Sequence, residues 1–334
     1  MENHAWVVAF PSPAKYSPDC LRWERRELPA LQPGQLLLRT IYLSLDPSNR
    51  NALTLKPNTA PQPLAVGDVM MGQTVCVVEA SRSPAFEKGD AVVGPTGWQT
   101  YAVVASDQVR KANADAPLET NLTIFSHIGY AATAGMLGVG KVTAADTVVV
   151  SAAAGATGSI AAQIGKALGA KVVGIAGGAD KRRYLVDELG LDGAVDYRSE
   201  DVAASLARLC PEGVSLFFDN VGGAILDAVL MNLAFNARIA VCGQIASYDG
   251  DERPGVRNLM QLVFFNATMQ GFFAGQPPER GPEYEALLSR LYRTGQLKAR
   301  AHVVKGLEQA PKALELVLTG ANAGKLMVEV TPPP

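Results

Sequence analysis

Residues 147–178, TVVVSAAAGATGSIAAQIGKALGAKVVGIAGG, constrain the fold more than any other stretch of the chain. A β-branched run from Thr147 to Val150 enters a turn of small residues, Ala152 to Gly158. A helical segment from Ser159 to Leu168 follows, then Gly169 and a second apolar run from Lys171 to Ile175. That order is strand, tight turn, helix, strand, and its span of about thirty residues is one βαβ crossover. Glycines fall at Gly155 and Gly158, with Ala153 where a dinucleotide fingerprint usually carries its first glycine. Small residues are required there because the backbone must approach a pyrophosphate and present helix N-terminal N–H groups to it. Gly155, Ala156, Thr157 and Gly158 are therefore expected to bind a nucleotide.

The rest of the chain supplies a setting for that unit. Its 334 residues are enough for two domains, and 48% hydrophobic with 19% charged residues is ordinary for a packed α/β protein. The net charge of −2 favours neither nucleic acid nor an anionic membrane as partner. With no charged-then-apolar leader and no apolar span of about eighteen residues, the chain is expected in the cytoplasm. Cys20, Cys76, Cys210 and Cys242 lie at no metal or redox spacing and read as buried or half-buried thiols. The first 120 or so residues hold short strand-like runs separated by turns such as Gln32-Pro33-Gly34 and Pro95-Thr96-Gly97, which argues for a β-rich domain. From Leu122 to Thr294 strands alternate with helices, including a helix from Lys181 to Glu188 and strands at Val214 to Asp219, Ala237 to Cys242 and Thr268 to Phe273. Repeated βα units make a doubly wound parallel sheet. The last segments, strand Ala301 to Val304, helix Ala310 to Thr319 and strand Lys325 to Val330, are expected to rejoin the first domain. The expected division is 1–121 with 300–334, and 122–299.

An NAD site carries an acid at the end of the second strand to hydrogen-bond the ribose. Here Ala176-Gly177-Gly178 stands in that place, Asp180 is the first carboxylate, and Lys181, Arg182 and Arg183 follow. Without the acid a 2′-phosphate meets no repulsion, and a cation can pair with it. The reading is NADP(H), with Lys181 at the phosphate and at least one of the two arginines on a solvated helix turn.

Further segments then fall into a series: Leu43-Ser44-Leu45-Asp46-Pro47 with Arg50, Gly97 to Val103, Asp196-Tyr197, Phe218 to Gly223, Cys242-Gly243-Gln244-Ile245, Arg257 to Gln261, Met269-Gln270-Gly271-Phe272, and Asn322-Ala323-Gly324-Lys325. Over nearly its whole length the chain resembles the medium-chain dehydrogenase/reductase superfamily. Within it the resemblance is to the zinc-independent leukotriene B4 dehydrogenase/prostaglandin reductase group, which includes curcumin reductase-like enzymes and alkenal double-bond reductases. The resemblance implies a GroES-like domain joined to an inserted Rossmann domain, with NADPH between them and a homodimer formed through the edge strand Thr268 to Phe273. It implies reduction of the carbon–carbon double bond of α,β-unsaturated aldehydes and ketones. By position, Lys181 and Tyr197 would hold the 2′-phosphate. Asn220, Cys242, Gly243, Gln244 and Ile245, with Phe272, Phe273, Ala274 and Asn322, would line ribose and nicotinamide. Tyr197 could equally be a strand-end aromatic, and Asn322 a turn residue. Two places depart from the group: Ser48-Asn49 stands where an aromatic is usual, and Gly135 takes another aromatic position. Both are expected to flank the substrate.

No metal is expected. The three histidines, His4, His127 and His302, have no neighbouring glutamate, and there is no cysteine cluster for a structural zinc. Hydride transfer to an enone needs only hydrogen-bond donors at the developing enolate oxygen. Tyr248 is the first candidate, with Tyr42 and Tyr130 behind it. A quinone reductase of the same superfamily and a non-catalytic NADPH-binding protein remain alternatives at this level.

Overall fold

The computed structural model describes residues 2–54, 62–249, 255–274 and 278–333. The chain opens with strands β1 (Asn3–Val8), β2 (Leu21–Arg26) and β3 (Gln35–Ser44), the short helix α1 (Ser48–Ala52), then β4 (Thr74–Ser81), β5 (Ala91–Gly94), β6 (Tyr101–Ala105) and β7 (Arg110–Lys111). The helical half begins with α2 (His127–Thr133) and β8 (Thr147–Ser151). It continues through α3 (Ala156–Ala167), β9 (Lys171–Ala176), α4 (Ala179–Arg183), β10 (Gly193–Asp196), α5 (Val202–Leu209), β11 (Val214–Asp219), α6 (Gly223–Leu230), β12 (Leu233–Val241), α7 (Met260–Phe264), β13 (Thr268–Gly271) and α8 (Gly281–Arg293). The chain ends with β14 (Ala301–Lys305), α9 (Ala310–Leu318) and β15 (Lys325–Glu329). Its contacts divide into two units: Met1–Leu122 with Tyr248–Asp251 and Ala301–Pro334, and Thr123–Ser247 with Glu252–Arg300. Among the described residues no helix is long and apolar enough to cross a membrane.

The first unit is a mostly antiparallel seven-stranded sheet in the order β14-β15-β3-β4-β5-β7, with β6 also on β3, plus a separate β1–β2 hairpin. Alternation along β3 buries Leu36 and Leu38, and after a register shift near Thr40 the phase changes so that Ile41 and Leu43 are buried instead. Two of the motif segments meet here although they lie 279 residues apart: the Lys325 ammonium donates to Asp46 Oδ1 at 2.6 Å and to Leu45 O at 2.7 Å. Burial pushes the Lys325 ammonium below its ordinary range, and the Asp46 carboxylate opposes that shift. Removing either partner would leave a buried charge unpaired, which costs on the order of 3–5 kcal/mol.

The second unit is a six-stranded parallel sheet in the order β10-β9-β8-β11-β12-β13. Strand order reverses between β8 and β11, and ligands of such sheets bind at the carboxyl ends of the strands flanking that reversal. Val148, Val149, Val150, Phe217 and Phe218 are fully or nearly fully buried, as expected for central parallel strands covered on both faces. Some bounds differ from those the sequence suggests. Helix α3 starts at Ala156, three residues early, because Gly155 rather than a polar side chain is its N-cap. The helix expected from Lys181 starts at Ala179, and a π-helical turn takes over from Tyr184 to Glu188. Strand β13 stops at Gly271, so Phe273 lies beyond it and is exposed. Helix α8 escapes a reading from pattern because only Tyr284, Leu288 and Leu291 of its largely polar face are buried.

Candidate active site

The glycine turn is made from backbone. After β8 the chain turns through Ala152, whose φ of 47° lies in the left-handed region. Gly155 N–H closes the turn onto Ala152 O at 2.8 Å, and Ala153 N–H bonds Ile175 O at 3.0 Å. A Cβ on Gly158 would sit 2.4 Å from Ala152 O and 3.0 Å from Ala153 Cα, so no other residue fits without moving backbone. Ala153 is tolerated in the first fingerprint position because the strand behind it is hollowed: a Cβ on Gly174 would lie 2.9 Å from the Ala153 methyl. Helix α3 carries no side-chain cap at its N-terminus. Its first N–H groups are directed where a pyrophosphate would sit.

One strand over, the loops after β9 and β10 are made from charge. Asp196 ends β10, but its carboxylate faces inward: Oδ1 accepts from Gly178 N–H at 2.8 Å and from Arg198 N–H at 3.1 Å, and Oδ2 from Ser199 Oγ at 3.0 Å. The Gly178 and Arg198 amides, with the Ser199 hydroxyl, hold its carboxyl below the usual range against the effect of burial. Arg183 pairs with Asp180, and Arg182 lies 3.7 Å from Glu200, so both arginines of the triplet have carboxylate partners. Lys181 is half-buried, and its ammonium is pushed down first by burial and then by the charge of Arg198. Tyr197 is 45% exposed and has the Arg198 guanidinium 5.9 Å from its ring centroid. Both side chains crowd Gly177, where a Cβ would lie 2.8 Å from Arg198 Nε and 2.9 Å from Tyr197 Cε1. Arg198 was not among the residues the sequence singled out.

At the strand-order reversal, Asn220 locks β11 to β8. Its Nδ2 donates to Ser151 O at 2.7 Å, its backbone N–H bonds Ser151 Oγ at 2.8 Å, and that hydroxyl donates to Asp219 Oδ1 at 2.8 Å. Asp219 is buried, which pushes its carboxyl up, while Val221 N–H, Gly222 N–H and Ser151 pull it down. Cys242 and Gly243 hang their N–H groups on Asp219 O at 2.8 and 3.1 Å, and Ile245 N–H bonds Asn220 O at 3.2 Å. Burial and the Asp219 carboxylate push the Cys242 thiol up to about 12, so it is a neutral wall group at physiological pH. Gln244 packs over Gly222, where a Cβ would be 2.5 Å from Gln244 Cγ. Phe272 sits edge-on to Phe218 with ring centroids 6.0 Å apart, whereas Phe273 is exposed and Ala274 half-buried.

Two expectations need correction. Gly135 does not border open space: it is buried, and a Cβ there would lie 2.3 Å from Phe218 Cε2 and 2.6 Å from Phe272 Cζ. An aromatic side chain at 135 is incompatible with that ring pair. Asn49 is also buried and spent structurally, its Oδ1 accepting from Asp46 N–H at 2.7 Å and its Nδ2 donating to Met71 O at 2.9 Å. Ser48 alone of the departing residues keeps a half-buried side chain.

In the first unit, the Asn322 amide donates to Gly324 O at 2.7 Å, closing the turn into β15. Tyr248 is half-buried, and its neighbour Asp249 is held by Arg50 Nε at 3.0 Å and Tyr16 N–H at 2.6 Å. Arg50 is fully buried and also donates to Pro13 O and Ala14 O at 2.6 and 2.7 Å. Tyr42 packs among Val75, Leu118 and Leu122, and burial, Glu119 and Glu329 raise its phenol. Tyr130 donates to Glu285 Oε2 at 3.4 Å. His4 stacks on Trp23 and His127 is exposed at the start of α2. Among the described residues no three histidine, cysteine, aspartate or glutamate side chains gather as metal ligands. A dinucleotide fits the residues that are present, since the N-terminus of α3 carries no side-chain cap and a Cβ at its N-cap Gly155 would meet nothing within 4 Å but Ala152 O.

Comparison with known proteins gives the same placement for the whole chain. Residues 5–112 match a family model described as the N-terminal domain of oxidoreductase, and residues 156–291 one described as zinc-binding dehydrogenase. An NADPH-dependent curcumin reductase of Escherichia coli is 36% identical over 336 residues, 98% of this chain and 97% of its own. An NADP(+)-dependent 2-alkenal reductase of Nicotiana tabacum is 36% identical over 301 residues, 89% of this chain and 88% of its own. The crystal structure of CurA from Vibrio vulnificus in complex with NADPH superposes with a TM-score of 0.92 at 35% identity, covering 99% of this chain and 100% of the other.

Proposed function

The chain belongs to the zinc-independent medium-chain dehydrogenase/reductases of the curcumin and prostaglandin reductase group, and on that premise we propose that it reduces the carbon–carbon double bond of α,β-unsaturated ketones and aldehydes with NADPH. The observation that carries the reading is the pairing in one sheet of a small-residue turn after β8, in which position 158 excludes a Cβ, with a cation-bearing loop after β9 whose nearby carboxylates are engaged elsewhere. Relatives named for curcumin and 2-alkenals support the substrate class, since both compounds present a double bond conjugated to a carbonyl. Residues 122–299 are the proposed cofactor domain, and 1–121 with 300–334 the proposed substrate domain.

When bound, NADPH supplies the hydride that the β-carbon of the substrate receives. The electron pair of the double bond shifts to join the α-carbon and the carbonyl carbon, the carbonyl's own π pair moves onto oxygen, and the resulting charge needs a donor in place beforehand. Tyr248 is the proposed donor: its backbone is fixed by the adjacent Asp249, which is itself gripped by the buried Arg50. The α-carbon takes a proton to complete the saturated product. No metal has a role in this scheme. Gly155 to Gly158 are proposed to hold the pyrophosphate and Lys181 with Tyr197 the 2′-phosphate. Asn220 keeps its Oδ1 for the ribose or nicotinamide while its Nδ2 stays on Ser151. Cys242 to Ile245, Phe272 to Ala274 and Asn322 form the remaining proposed lining.

The reading is tested by following the nicotinamide absorbance of NADPH against enones, alkenals, quinones and saturated ketones. Consumption with enones and alkenals but not with saturated ketones is expected. Turnover of quinones alone would transfer the chain to the quinone reductase reading, and absence of turnover across the panel would overturn the enzymatic one. A homodimer is proposed through the outer edge of β13, which among the described residues pairs on one side only, with β12. Exposed Val263, Phe264 and Phe273 flank β13 in sequence, and exposed Phe235 belongs to the neighbouring strand β12, an apolar concentration that solitary surfaces avoid. Light scattering should return twice the chain mass.

A further inference from the structure

Each carboxylate near the end of β9 is occupied. Asp196 is held by Gly178 N–H, Arg198 N–H and Ser199 Oγ, and Asp180 by Arg183. Glu200 accepts from Asp196 N–H at 3.1 Å and Ser205 Oγ at 2.8 Å, with Arg182 and Arg208 at 3.7 and 3.9 Å. The Arg198 guanidinium is the exception among the loop's cations: among the described residues it makes no ion pair and no side-chain hydrogen bond, and it lies over the Tyr197 ring. It shares that space with Lys181, whose ammonium feels its charge as repulsion.

We propose that Arg198 is a specificity-determining residue of the nucleotide site, closing with Lys181 on the 2′-phosphate of NADP(H). The proposal rests on the NADP(H) reading given above. Two like charges close enough to repel are unfavourable until a doubly charged anion joins them, and both can then gain charge-assisted hydrogen bonds. Arginine suits the task because a planar guanidinium can rest its face on an aromatic ring while its edge donates two parallel N–H groups to phosphate oxygens. Gly177 makes the arrangement possible, since any Cβ there would displace both Arg198 and Tyr197. The inward turn of Asp196 supports the selection: the carboxylate that ends β10 is consumed by backbone N–H groups, one of them from Arg198 itself, and adds no free acceptor to the loop.

The experiment is calorimetric titration of cofactor-free protein with adenosine 2′,5′-bisphosphate and with 5′-AMP, which carry the nucleotide end without the reacting ring. Wild type should favour the bisphosphate strongly. Arg198→Gln should weaken bisphosphate binding by about tenfold or more, in line with loss of charge-assisted hydrogen bonds, and leave 5′-AMP unchanged. Arg198→Lys should recover part of the loss. If wild type discriminates and Arg198→Gln discriminates equally well, the proposal falls and the NADP(H) reading stands. If wild type does not discriminate at all, the NADP(H) reading falls and takes the proposal with it.

Discussion

The turn after β8 and the loop after β9 lie at the carboxyl ends of neighbouring parallel strands, yet they are built from opposite materials. The first is backbone: Gly158 admits no Cβ, Gly155 caps the helix, and the Gly155 N–H to Ala152 O bond fixes the path. The second is side chain: a buried carboxylate pins the loop from within, and Arg198 lies over the Tyr197 ring beside Gly177, its charge felt at Lys181. A backbone cradle recognises what all dinucleotides share, and a charged loop can recognise a phosphate that only some carry. Affinity and discrimination should therefore separate between the two places.

The largest effect is expected at Gly158→Ala. The new methyl would meet Ala152 O at 2.4 Å and Ala152 C at 2.9 Å, and only a backbone shift relieves that. Misplacement of this kind costs on the order of a hundredfold, and NADPH and NADH binding should fall together by that amount in titrations of a variant whose folding is checked by circular dichroism. Loss of NADPH binding alone would break the division of labour. Next in size is Lys181→Ala, where loss of a charge-assisted hydrogen bond should cost NADPH about ten- to a hundredfold in affinity and leave NADH untouched.

Asp196→Asn probes the loop from below. Backbone N–H groups and Ser199 hold the native carboxyl under its usual range, so the folded pKa lies below the unfolded value of about 3.9. The stabilisation is then fully present above that value and lost as pH falls through the folded pKa. Wild type should melt above the variant at neutral pH, and the gap should close below about pH 4. NADPH affinity in the variant should drop a few-fold, because Gly178 and Arg198 N–H are left with a neutral, weaker acceptor and Ser199 Oγ loses the oxygen it donates to.

The two places also differ in how far the sequence discloses them. The small-residue run from Ala152 to Gly158 between a β-branched strand and a helix is local, and local spacing is enough to place it. The role of Arg198 is not local: it lies more than twenty residues beyond Gly177, and only the parallel pairing of β10 on β9 brings the two together. The same limit hid the Lys325–Asp46 pair, which joins motif segments from opposite ends of the chain. Gly135 shows the reverse error. Its departure from the family pattern suggested a substrate contact, but two phenylalanine rings arriving from β11 and the segment after β13 have filled the space. A single residue type carries no information about what distant chain packs against it.

The smallest effect, and the finest division between the two places, concerns Ala152. A non-glycine residue at φ 47° crowds its own Cβ against the backbone, at a cost of roughly 1–2 kcal/mol. Glycine would remove that cost but give back about 0.4–1 kcal/mol through the greater freedom of the unfolded chain. Ala152→Gly should thus raise the melting temperature slightly, by the equivalent of no more than about 1.6 kcal/mol, with NADPH and NADH affinities unchanged, because Gly155 N–H and Ala153 N–H still fix the turn from both sides. If stability rises while both affinities fall, the alanine is holding the turn in a shape its hydrogen bonds alone do not enforce. The backbone cradle would then owe its geometry to a side chain after all, and the contrast with the charged loop would narrow to which atoms touch the nucleotide.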